Sequence, residues 1–342
     1  MRRAVALAFS LWAGAAWGTG HAAPFAEFAS EKAAEAERLK TTVVKGEDGW
    51  LFFAPELRSL GIGEFWGEKA AQVSKAANPA YADPLPAILD FNRQLKGASI
   101  RLIVVPAPAK AAVYPDKLSA QFPFQKEKEA ERYDANAARF YELLRENDVE
   151  VLDLTPVFWK ARLEAKPNDP PLYCLQDTHW SGRACELAAQ AIAKAVGEPS
   201  WTAQVEKRAY ETTERETAIE GDLWKALGDA SLPKETLRLK HVNAGVRRES
   251  PVLLLGDSHC LVFHDGGDMH AKGAGLADHL AARFGFPVDL LGVRGSGATP
   301  SRIALFRRRD NLKGKRVVVW CFSVREFTES AQGWRKVPVI RP

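Results

Sequence analysis

The sequence predicts an α/β protein with a mostly parallel β-sheet and helices on both faces of that sheet. Short apolar runs rich in valine, isoleucine and leucine, typical of strands buried on both faces, alternate along the chain with segments of helical spacing. This alternation favours a parallel sheet, because each helix carries the chain back to the start of the next strand. The chain has 342 residues, of which 46% are hydrophobic and 26% charged, so it can bury a substantial core.

The first half of the chain provides the first strands and helices. An alanine- and glutamate-rich segment, Ala26 to Lys40, is typical of a surface helix. A glycine-containing turn at 46–49 then leads into an aromatic strand at 50–53. The same patterns predict the strands Ile100–Val105 and Val149–Leu154 and the helices Leu85–Leu95 and Tyr133–Arg145.

The second half opens with a helix over Ser181–Val196, in which Ser181 can cap the first turn and Gly197 can end the last. Residues 198–245 are more polar and lack a clear period, which indicates an insertion with short strands. The alternation of strand and helix then resumes. Its predicted elements are the strands Val252–Leu255, Val288–Val293 and Arg316–Phe322 and the helices Gly275–Phe284 and Ser301–Arg309.

The N-terminus has the three parts of a secretory signal. Arginines at positions 2 and 3 give a positive start, an apolar run extends from Ala4 to Gly18, and small residues follow. Cleavage after Ala22 or Ala23 would leave residues 24–342 as a single exported domain. An uncleaved signal anchor is the alternative, although the run is short for a membrane span of about 20 residues.

The sequence contains four cysteines. In an exported protein an even number is compatible with disulfides, for which three connectivities exist. Cys174 and Cys185 flank the Asp177–His179 stretch, so a bridge between them would brace it. Burial as small core residues is the alternative, above all for Cys260 and Cys321, which lie beside apolar strands.

Charge and glycine patterns argue against several classes of function. The net charge of +4 suits an acidic polymer as a partner but is too small to indicate nucleic-acid binding. The loop Gly292–Gly297 follows a strand but matches neither the P-loop nor the dinucleotide fingerprint, so no cofactor is expected. His264 and His270, with Asp265 and Asp268, resemble metal ligands, but a solvated glycine-rich loop explains them better and no metal site is expected.

Two stretches far apart in the chain carry groups suited to acyl transfer. Asp177 and His179 are separated by one residue, so the carboxylate can accept the Nδ1 proton of the imidazole and leave Nε2 free as a base. Ser258 follows Gly256 at the carboxyl end of a buried strand, where α/β proteins bind ligands. A helix after Ser258 would direct backbone amides at an oxyanion. Capping of local amides by Asp177 and by Asp257 with Ser258 is the alternative, but the three groups together favour catalysis.

Two further features are candidates for contact with a substrate. The loop Gly292–Gly297 can supply a second oxyanion amide from Gly295 or Gly297. Trp180, beside His179, is either part of the core or a platform on which a sugar stacks, and the core is the more usual place for it.

The stretch Asp177-Thr178-His179-Trp180-Ser181, followed along the chain by Gly256-Asp257-Ser258, resembles the SGNH-hydrolase-like domain of alginate O-acetyltransferases of the AlgJ/AlgX type. Gly49-Trp50-Leu51-Phe52 is similar to that family's entry strand, and the segment Val319–Glu326 is similar to its final block. The similarity covers roughly residues 40 to 330. Asp-Thr-His-Trp is specific to the family, whereas Gly-Asp-Ser is shared with many lipases and esterases.

The resemblance implies an SGNH-hydrolase-like fold and a periplasmic enzyme that moves acetyl groups onto exopolysaccharide hydroxyls. It implies Ser258 as the acetylated nucleophile, His179 as general base and acid, and Asp177 as the residue that orients His179. The motif order is permuted, since in ordinary SGNH hydrolases the Asp and His follow the serine. The resemblance also implies three partners: an alginate-like acceptor, a membrane-bound acyltransferase as the acetyl source, and other polysaccharide export components.

The Gly-x-Asn-Asp block of the ordinary hydrolases is absent, which leaves the second side-chain donor to the oxyanion unassigned. The candidates for contact with the oxyanion or the substrate are Arg294, Ser296, Arg325, Trp180 and Trp320. An O-acetyltransferase is the leading hypothesis, and an acetyl esterase with the same three groups is the first alternative. A non-catalytic polysaccharide-binding assembly protein is the second alternative, although it would have no need of all three groups.

Overall fold

The computed structural model describes residues 22–124 and 132–341 and confirms an α/β fold within them. Of the predicted signal at 1–23, only Ala22 and Ala23 belong to these residues, so the signal stays a prediction. Across the two described ranges, none of the helices combines the length and the apolar character needed to cross a lipid bilayer.

The helices and strands follow one another in the alternating order that the sequence predicts. The helices are α1 (Ala22–Arg38), α2 (Ala54–Gly61), α3 (Ala70–Val73), α4 (Pro84–Gly97), α5 (Lys110–Val113), α6 (Pro115–Leu118), α7 (Ala135–Glu146), α8 (Thr155–Leu163), α9 (Gly182–Val196), α10 (Asp222–Leu227), α11 (Leu276–Phe284), α12 (Thr299–Arg307) and α13 (Glu326–Glu329). The strands are β1 (Val43–Lys45), β2 (Leu51–Phe53), β3 (Arg101–Ala107), β4 (Glu150–Val151), β5 (Thr213–Ile219), β6 (Glu235–His241), β7 (Val252–Gly256), β8 (Asp289–Gly292) and β9 (Val317–Ser323).

The centre of the fold is a five-stranded sheet in the order β4–β3–β9–β7–β8, in which every neighbouring pair is parallel. In β9, Val319 lies opposite Ile103 of β3 on one side and Leu254 of β7 on the other. All residues of β9 are at most 2% exposed. Because successive side chains of a strand point to opposite faces, this burial shows that both faces of the sheet are covered, as predicted. On one face, for example, Trp320 packs against Phe91 of α4.

Local signals in the sequence explain where the helices begin and end. The carboxylate of Asp83 accepts the amide proton of Leu85 at 2.9 Å, and Pro84 brings a suitable fixed φ to the first turn of α4. The hydroxyl of Ser181 accepts an amide proton from the first turn of α9, and Gly197, with φ of 70°, ends that helix. The two predicted caps of α9 are therefore confirmed.

The predicted strand Val149–Leu154 is wrong in length, because β4 spans only Glu150–Val151. β4 is an edge strand that pairs with β3 alone. Two residues after it, the carboxylate of Asp153 accepts the amide proton of Thr155 at 3.0 Å and starts α8, a helix that the sequence patterns did not predict. This local hydrogen bond from a side chain to the backbone turns the chain and ends the pairing of the strand before its apolar run is complete.

The surface helix predicted over Ala26–Lys40 is present as α1, most of whose side chains are partly or fully exposed, and one face of it packs into the core. Phe25 and Ala29 are fully buried, and Ala33 is 8% exposed. The ring centroid of Phe25 lies 4.5 Å from that of Tyr133. These buried residues recur every fourth position, which is the spacing of one helical face. The many alanines of the segment concealed this stripe.

Residues 198–245 contain short strands, as predicted, and these pair as an antiparallel hairpin of β5 and β6. α10 lies in the connection between them. This connection brings Gly221 against the main chain of Gln176, where a Cβ on residue 221 would lie only 2.1 Å from the Gln176 carbonyl oxygen. A residue without a side chain is therefore required at this close approach.

The four cysteines are all buried free thiols. The bridge between Cys174 and Cys185 that their spacing suggested is not formed. Instead, the Cys174 thiol lies 3.6 Å from the Trp180 carbonyl oxygen, and the Cys260 thiol lies 3.3 Å from the Cys321 carbonyl oxygen. Burial raises the pKa of Cys174, Cys185 and Cys260 well above the ordinary value, which keeps these thiols protonated and unreactive.

We therefore expect the native protein to resist thiol alkylation and the unfolded protein to take up four alkyl groups without prior reduction, one for each cysteine. Intact mass spectrometry after maleimide treatment, with and without guanidinium, measures both states. A gain of only two groups in guanidinium would show that a disulfide exists and would contradict the expectation.

Gly256, the last residue of β7, lies directly against the end of β9. A Cβ on Gly256 would lie 1.6 Å from the Cys321 carbonyl oxygen, and neither strand can move without breaking the sheet. We expect Gly256→Ala to lower the free energy of unfolding by about 3 kcal/mol or more in urea denaturation. Gly63→Ala is the control, because nothing lies within 4 Å of a Cβ at that position. Equal stability of the two variants would contradict this account.

Candidate active site

Ser258 follows the carboxyl end of β7, a strand in the interior of the central sheet. The strand is buried along its whole length and ends at Gly256, and Ser258 itself is 7% exposed. The preceding residue, Asp257, fixes the turn with both carboxylate oxygens. Its Oδ1 accepts the amide proton of His259 at 2.9 Å, and its Oδ2 accepts the amide proton of Ser323, at the end of β9, at 2.7 Å.

The α-helix expected directly after Ser258 is not present. Residues Ser258–Cys260 form a single 3₁₀ turn, and the next α-helix, α11, begins only at Leu276. Between them the chain turns back at Gly266 and Gly267, both of which have positive φ. The dipole of a long helix is therefore not available at this serine, in contrast to the expectation.

Asp177 and His179 lie in a tight loop that closes just before α9. The amide of Ser181 donates to the Leu172 carbonyl oxygen at 2.9 Å and closes the base of the loop. Within it, Asp177 Oδ1 accepts two protons of His179, from the backbone amide at 2.9 Å and from the ring Nδ1 at 2.6 Å. The other ring nitrogen, Nε2, then lies 2.7 Å from Ser258 Oγ. The structure therefore brings together the three groups that the sequence pattern selected.

The second oxygen of the Asp177 carboxylate also accepts two hydrogen bonds. The amide of Asp222, the first residue of α10, donates to Oδ2 at 2.8 Å, and Nε2 of His270 lies 2.8 Å from the same oxygen. The sequence interpretation placed His270 on a solvated loop, and this is wrong, because its side chain is only 7% exposed. His264 of the same loop pairs instead with Asp278 at 2.7 Å.

A buried lysine supports the same loop from the side of the first hairpin. Lys110 is 1% exposed, and its Nζ donates to the carbonyl oxygens of Leu51, Leu175 and Asp177 at 2.6, 2.9 and 3.2 Å. Burial lowers the pKa of Lys110 to about 8, which still leaves the ammonium charged at neutral pH. No sequence signal indicated this role, since a lone lysine in an alanine-rich segment is usually exposed.

The charges of Asp177 and His179 stabilise each other. Burial by itself raises the pKa of Asp177, but the charge and hydrogen bond of His179, together with the hydrogen bond of His270, outweigh burial and hold that pKa well below its ordinary value. Burial lowers the pKa of His179, but the adjacent Asp177 carboxylate outweighs it and raises that pKa above the usual value. The imidazole is therefore a stronger base than an isolated one.

A second Asp-x-His turn faces the first. Asp257 Oδ1 accepts the His259 amide proton, and His259 Nδ1 lies 3.2 Å from the same oxygen. The ring centroids of His259 and His179 are 5.0 Å apart. Burial lowers the pKa of His259 below its ordinary value, because Asp257 compensates only in part. Burial also acts on Asp257, but the charge of His259 lowers the pKa of this carboxyl group to about 2.

The glycine loop lies beside the nucleophile turn, as the sequence led us to expect. A Cβ on Gly297 would lie 3.1 Å from the Asp257 amide nitrogen, whereas Gly295, with φ of 87°, has open space around it. The Ser296 hydroxyl donates to the buried carboxylate of Glu326, whose Oε2 lies 3.4 Å from the Ala298 amide. Burial raises the pKa of Glu326 to about 7.

The two arginine candidates differ in position. Arg294 is half exposed and pairs with Asp268 at 2.9 Å, at the surface of the loop that carries His270. Arg325 donates to the Ser323 hydroxyl at 2.9 Å, and its guanidinium lies over the ring of Phe53. Its positive charge contributes to lowering the pKa of Asp257. Arg325 is therefore the arginine that acts electrostatically on the site.

Trp180 and Trp320 are both 0% exposed and present no ring face to a substrate. The indole of Trp180 donates to the His259 carbonyl oxygen at 3.2 Å, and that of Trp320 donates to the Gly297 carbonyl oxygen at 2.8 Å. We assign both tryptophans to the packing and bracing of the loops around Ser258. Trp180 therefore lies in the core, the position that the sequence favoured for it, and neither ring is open to the substrate contact considered for both.

Among the described residues, the ligand atoms of Asp177, His179 and Asp222 lie within 4.8 Å of one another. Each of these groups is already engaged. His179 Nδ1 and Asp177 Oδ1 bond each other, and the Asp222 carboxylate accepts the amide and hydroxyl protons of Thr178 at 2.8 and 2.5 Å. The cluster is thus a hydrogen-bond network whose donors and acceptors satisfy one another, which does not fit a coordination shell.

Comparison with known proteins gives the family. Residues 43–324 match the family model described as "SGNH hydrolase-like domain, acetyltransferase AlgX". A probable alginate O-acetylase AlgJ of Pseudomonas putida is 29% identical over 224 residues, which are 65% of this chain and 51% of the relative. The chain thus spans about half the length of this curated relative.

Solved structures show the same fold. The O-acetyltransferase domain of Pseudomonas putida AlgJ matches with a TM-score of 0.59 at 22% identity, over 84% of this chain and 92% of that one. Pseudomonas aeruginosa AlgX matches with a TM-score of 0.59 at 17% identity, over 88% of this chain and 67% of that one. The resemblance drawn from the motifs is therefore confirmed, and the chain belongs to the SGNH hydrolase-like family of the acetyltransferase AlgX.

Proposed function

We propose that this protein transfers acetyl groups to hydroxyls of a secreted, alginate-like polysaccharide through an acetyl-enzyme on Ser258. One observation carries the proposal: Ser258 Oγ, His179 and Asp177 form a continuous relay with distances of 2.7 and 2.6 Å. This relay is the arrangement that activates a serine for attack on an ester. The acetylase names of the relatives support acetyl as the group transferred.

In the first half-reaction, Ser258 Oγ attacks the carbonyl carbon of the acetyl donor and gives its proton to His179 Nε2. Asp177 stabilises the resulting imidazolium through the Nδ1 hydrogen bond. The tetrahedral intermediate expels the donor's leaving group, which takes the proton from His179, and acetyl-Ser258 remains. In the second half-reaction, His179 removes a proton from a sugar hydroxyl, the sugar oxygen attacks the acetyl carbon, and Ser258 regains the proton as the new ester leaves.

We assign the oxyanion contact to the loop that carries Gly295 and Gly297. Gly297 supports this assignment because it lies against the nucleophile turn at Asp257, and a backbone amide there costs no side-chain entropy. Arg325 adds a positive charge near the same turn. Ser296 and Arg294 are weaker candidates, since the Ser296 hydroxyl donates to Glu326 and Arg294 pairs with Asp268 at the surface.

The surroundings of the enzyme belong to the same proposal. The N-terminal signal pattern supports export to the periplasm, with residues 24–342 as one domain that contains the 198–245 insertion. The acetyl source would be a membrane-bound acyltransferase, in concert with other polysaccharide export components. The net charge of +4 favours an acidic acceptor.

The function is tested with a chromogenic acetyl ester as donor, in the presence and absence of an oligomannuronate acceptor. We expect acetylated oligosaccharide, detected by mass spectrometry, and slower release of acetate when acceptor is present, because the sugar hydroxyl competes with water for the acetyl-enzyme. Acetate alone at every acceptor concentration would identify an esterase with the same three groups. Binding of oligosaccharide without any ester turnover would identify a non-catalytic binding protein.

Asp177→Asn tests the relay itself. An amide at this position favours the wrong tautomer of His179, so we expect kcat to fall by about 10⁴-fold, as for the equivalent change in serine proteases.

In the wild type, activity should be lost as the pH falls through the raised pKa of His179, because only the neutral ring accepts the serine proton. The small residual activity of the variant should persist to lower pH, since burial without the carboxylate lowers the pKa of that ring.

Asp289→Asn is the matched control for this variant. Asp289 is also a buried, ion-paired carboxylate, bonded to Arg308 at 2.7 Å. It lies at the amino end of β8, whereas Ser258 follows the carboxyl end of β7. We expect the control to keep its activity per folded molecule, whereas Ser258→Ala should abolish acetyl-enzyme formation. Unchanged kcat in folded Asp177→Asn would contradict the proposed relay.

A further inference from the structure

The loop that follows Ser258 in the chain carries a second histidine, His270, which contacts the carboxylate of Asp177. His270 Nε2 lies 2.8 Å from Asp177 Oδ2, and the imidazole is 7% exposed. Because an ionised carboxylate has no proton to give, the ring nitrogen must be the donor. The observed order of groups is thus Ser258, His179, Asp177 and His270.

The backbone at His270 is held in a strained conformation. Its φ is 69° and its ψ is −53°, and the amide of Ala271 donates to the Met269 carbonyl oxygen at 2.9 Å across it. This is a γ-turn, which is rare and unfavourable for a residue with a side chain. Such strain persists only where the surrounding structure enforces it, and here it directs the imidazole at Asp177.

The same loop is tied to the nucleophile. The Val262 amide donates to the Ser258 carbonyl oxygen at 2.8 Å, and the Phe263 amide donates to the Met269 carbonyl oxygen at 2.8 Å. The Phe263 ring also packs beside that of His270, with centroids 6.0 Å apart. A single segment therefore places the serine at one end of the His179–Asp177 pair and a histidine at the other.

The position of His270 sets its chemical role. Its Nε2 is engaged with Asp177, whereas His179 is the ring bonded to Ser258, so His270 is not a second base for the serine. At Oδ1 the carboxylate is held by two donors of its own turn, which restrain its rotation about the Cβ–Cγ bond from one oxygen only. Donors at Oδ2 fix the plane of the group, and His270 is the side-chain donor there, beside the amide of Asp222.

We infer that His270 is a positioning residue, which holds the Asp177 carboxylate in the plane that directs His179 Nε2 at Ser258 Oγ. The inference rests on the proposed role of Ser258 as nucleophile. Removal of the His270 side chain would leave a carboxylate that is only 1% exposed with a single donor on Oδ2, the Asp222 amide, so the acceptor of the Nδ1 hydrogen bond would be less firmly held.

The test compares His270→Ala and His270→Gln with wild type in two measurements. The first is the rate at which phenylmethylsulfonyl fluoride modifies Ser258, followed by intact mass. In this reaction the Oγ–S bond forms, the S–F bond breaks, His179 takes the serine proton and fluoride leaves. The second measurement is kcat and KM for the chromogenic acetyl ester. The first needs no acceptor, so it reports on the relay alone.

For His270→Ala we expect kcat and the sulfonylation rate to fall together by about tenfold or more, with KM within about twofold of wild type. His270→Gln should recover most of both rates, because its amide nitrogen can take the place of Nε2 as donor. His264→Ala is the matched control, since it removes a carboxylate-bound histidine from the same loop, bonded to Asp278 at 2.7 Å, and should leave both rates near those of wild type.

Full rates in folded His270→Ala would overturn the inference, as would equal losses in His264→Ala and His270→Ala or a failure of glutamine to restore the rates. Where His270→Ala does not fold, His270→Asn provides the same comparison, because its amide is too short to reach Asp177. If wild-type Ser258 neither reacts with the sulfonyl fluoride nor turns over the ester, the proposed function itself is wrong. If only the His270 variants are unaffected, the function stands and the positioning role is lost.

Discussion

The negative charge buried at Asp177 is the constraint on which the arrangement of the site depends. A carboxylate removed from water is tolerated only when its oxygens are paired and hydrogen-bonded, since the uncompensated loss of hydration costs several kcal/mol. Its four hydrogen bonds come from its own turn, from the start of α10 and from the loop after Ser258. These segments are far apart in the chain, and the shared charge fixes them relative to one another.

A second buried charge ties this centre to the first hairpin. The ammonium of Lys110 bonds the main chain of Leu51 in β2 and of Leu175 and Asp177 in the loop before α9. Its Nζ also lies 5.2 Å from the ring centroids of Trp50 and Phe52. Lys110 thus places a buried positive charge near the negative one and donates to three main-chain carbonyl oxygens, of which that of Leu175 also accepts the Leu51 amide proton at 2.8 Å. The hairpin β1–β2 belongs to the support of the site, although none of its residues reaches Ser258.

The sequence predicted those parts of the fold that local pattern determines. The central strands are continuous apolar runs because both faces are covered, and the caps of α9 are set by Ser181 and Gly197. β4 was predicted too long, because the hydrogen bond from the Thr155 amide to the Asp153 carboxylate competes with pairing at a sheet edge. His270 was missed for a different reason: its partner lies 93 residues away, and a histidine among glycines carries no local sign of a distant carboxylate.

The two Asp-x-His turns have the same local pairing, but one holds the proposed base, His179, and the other a structural histidine, His259. Both histidines bond Oδ1 of the aspartate two residues earlier, but the distance from Nδ1 is 2.6 Å at His179 and 3.2 Å at His259. The second oxygen of Asp257 accepts the amide proton of Ser323. In addition, the nearby charges of His179 and Arg325 disfavour protonation of His259. Burial therefore dominates at His259 and keeps it neutral. Since the two rings are 5.0 Å apart, a neutral His259 leaves His179 as the ring that can take up the serine proton without repulsion from its neighbour.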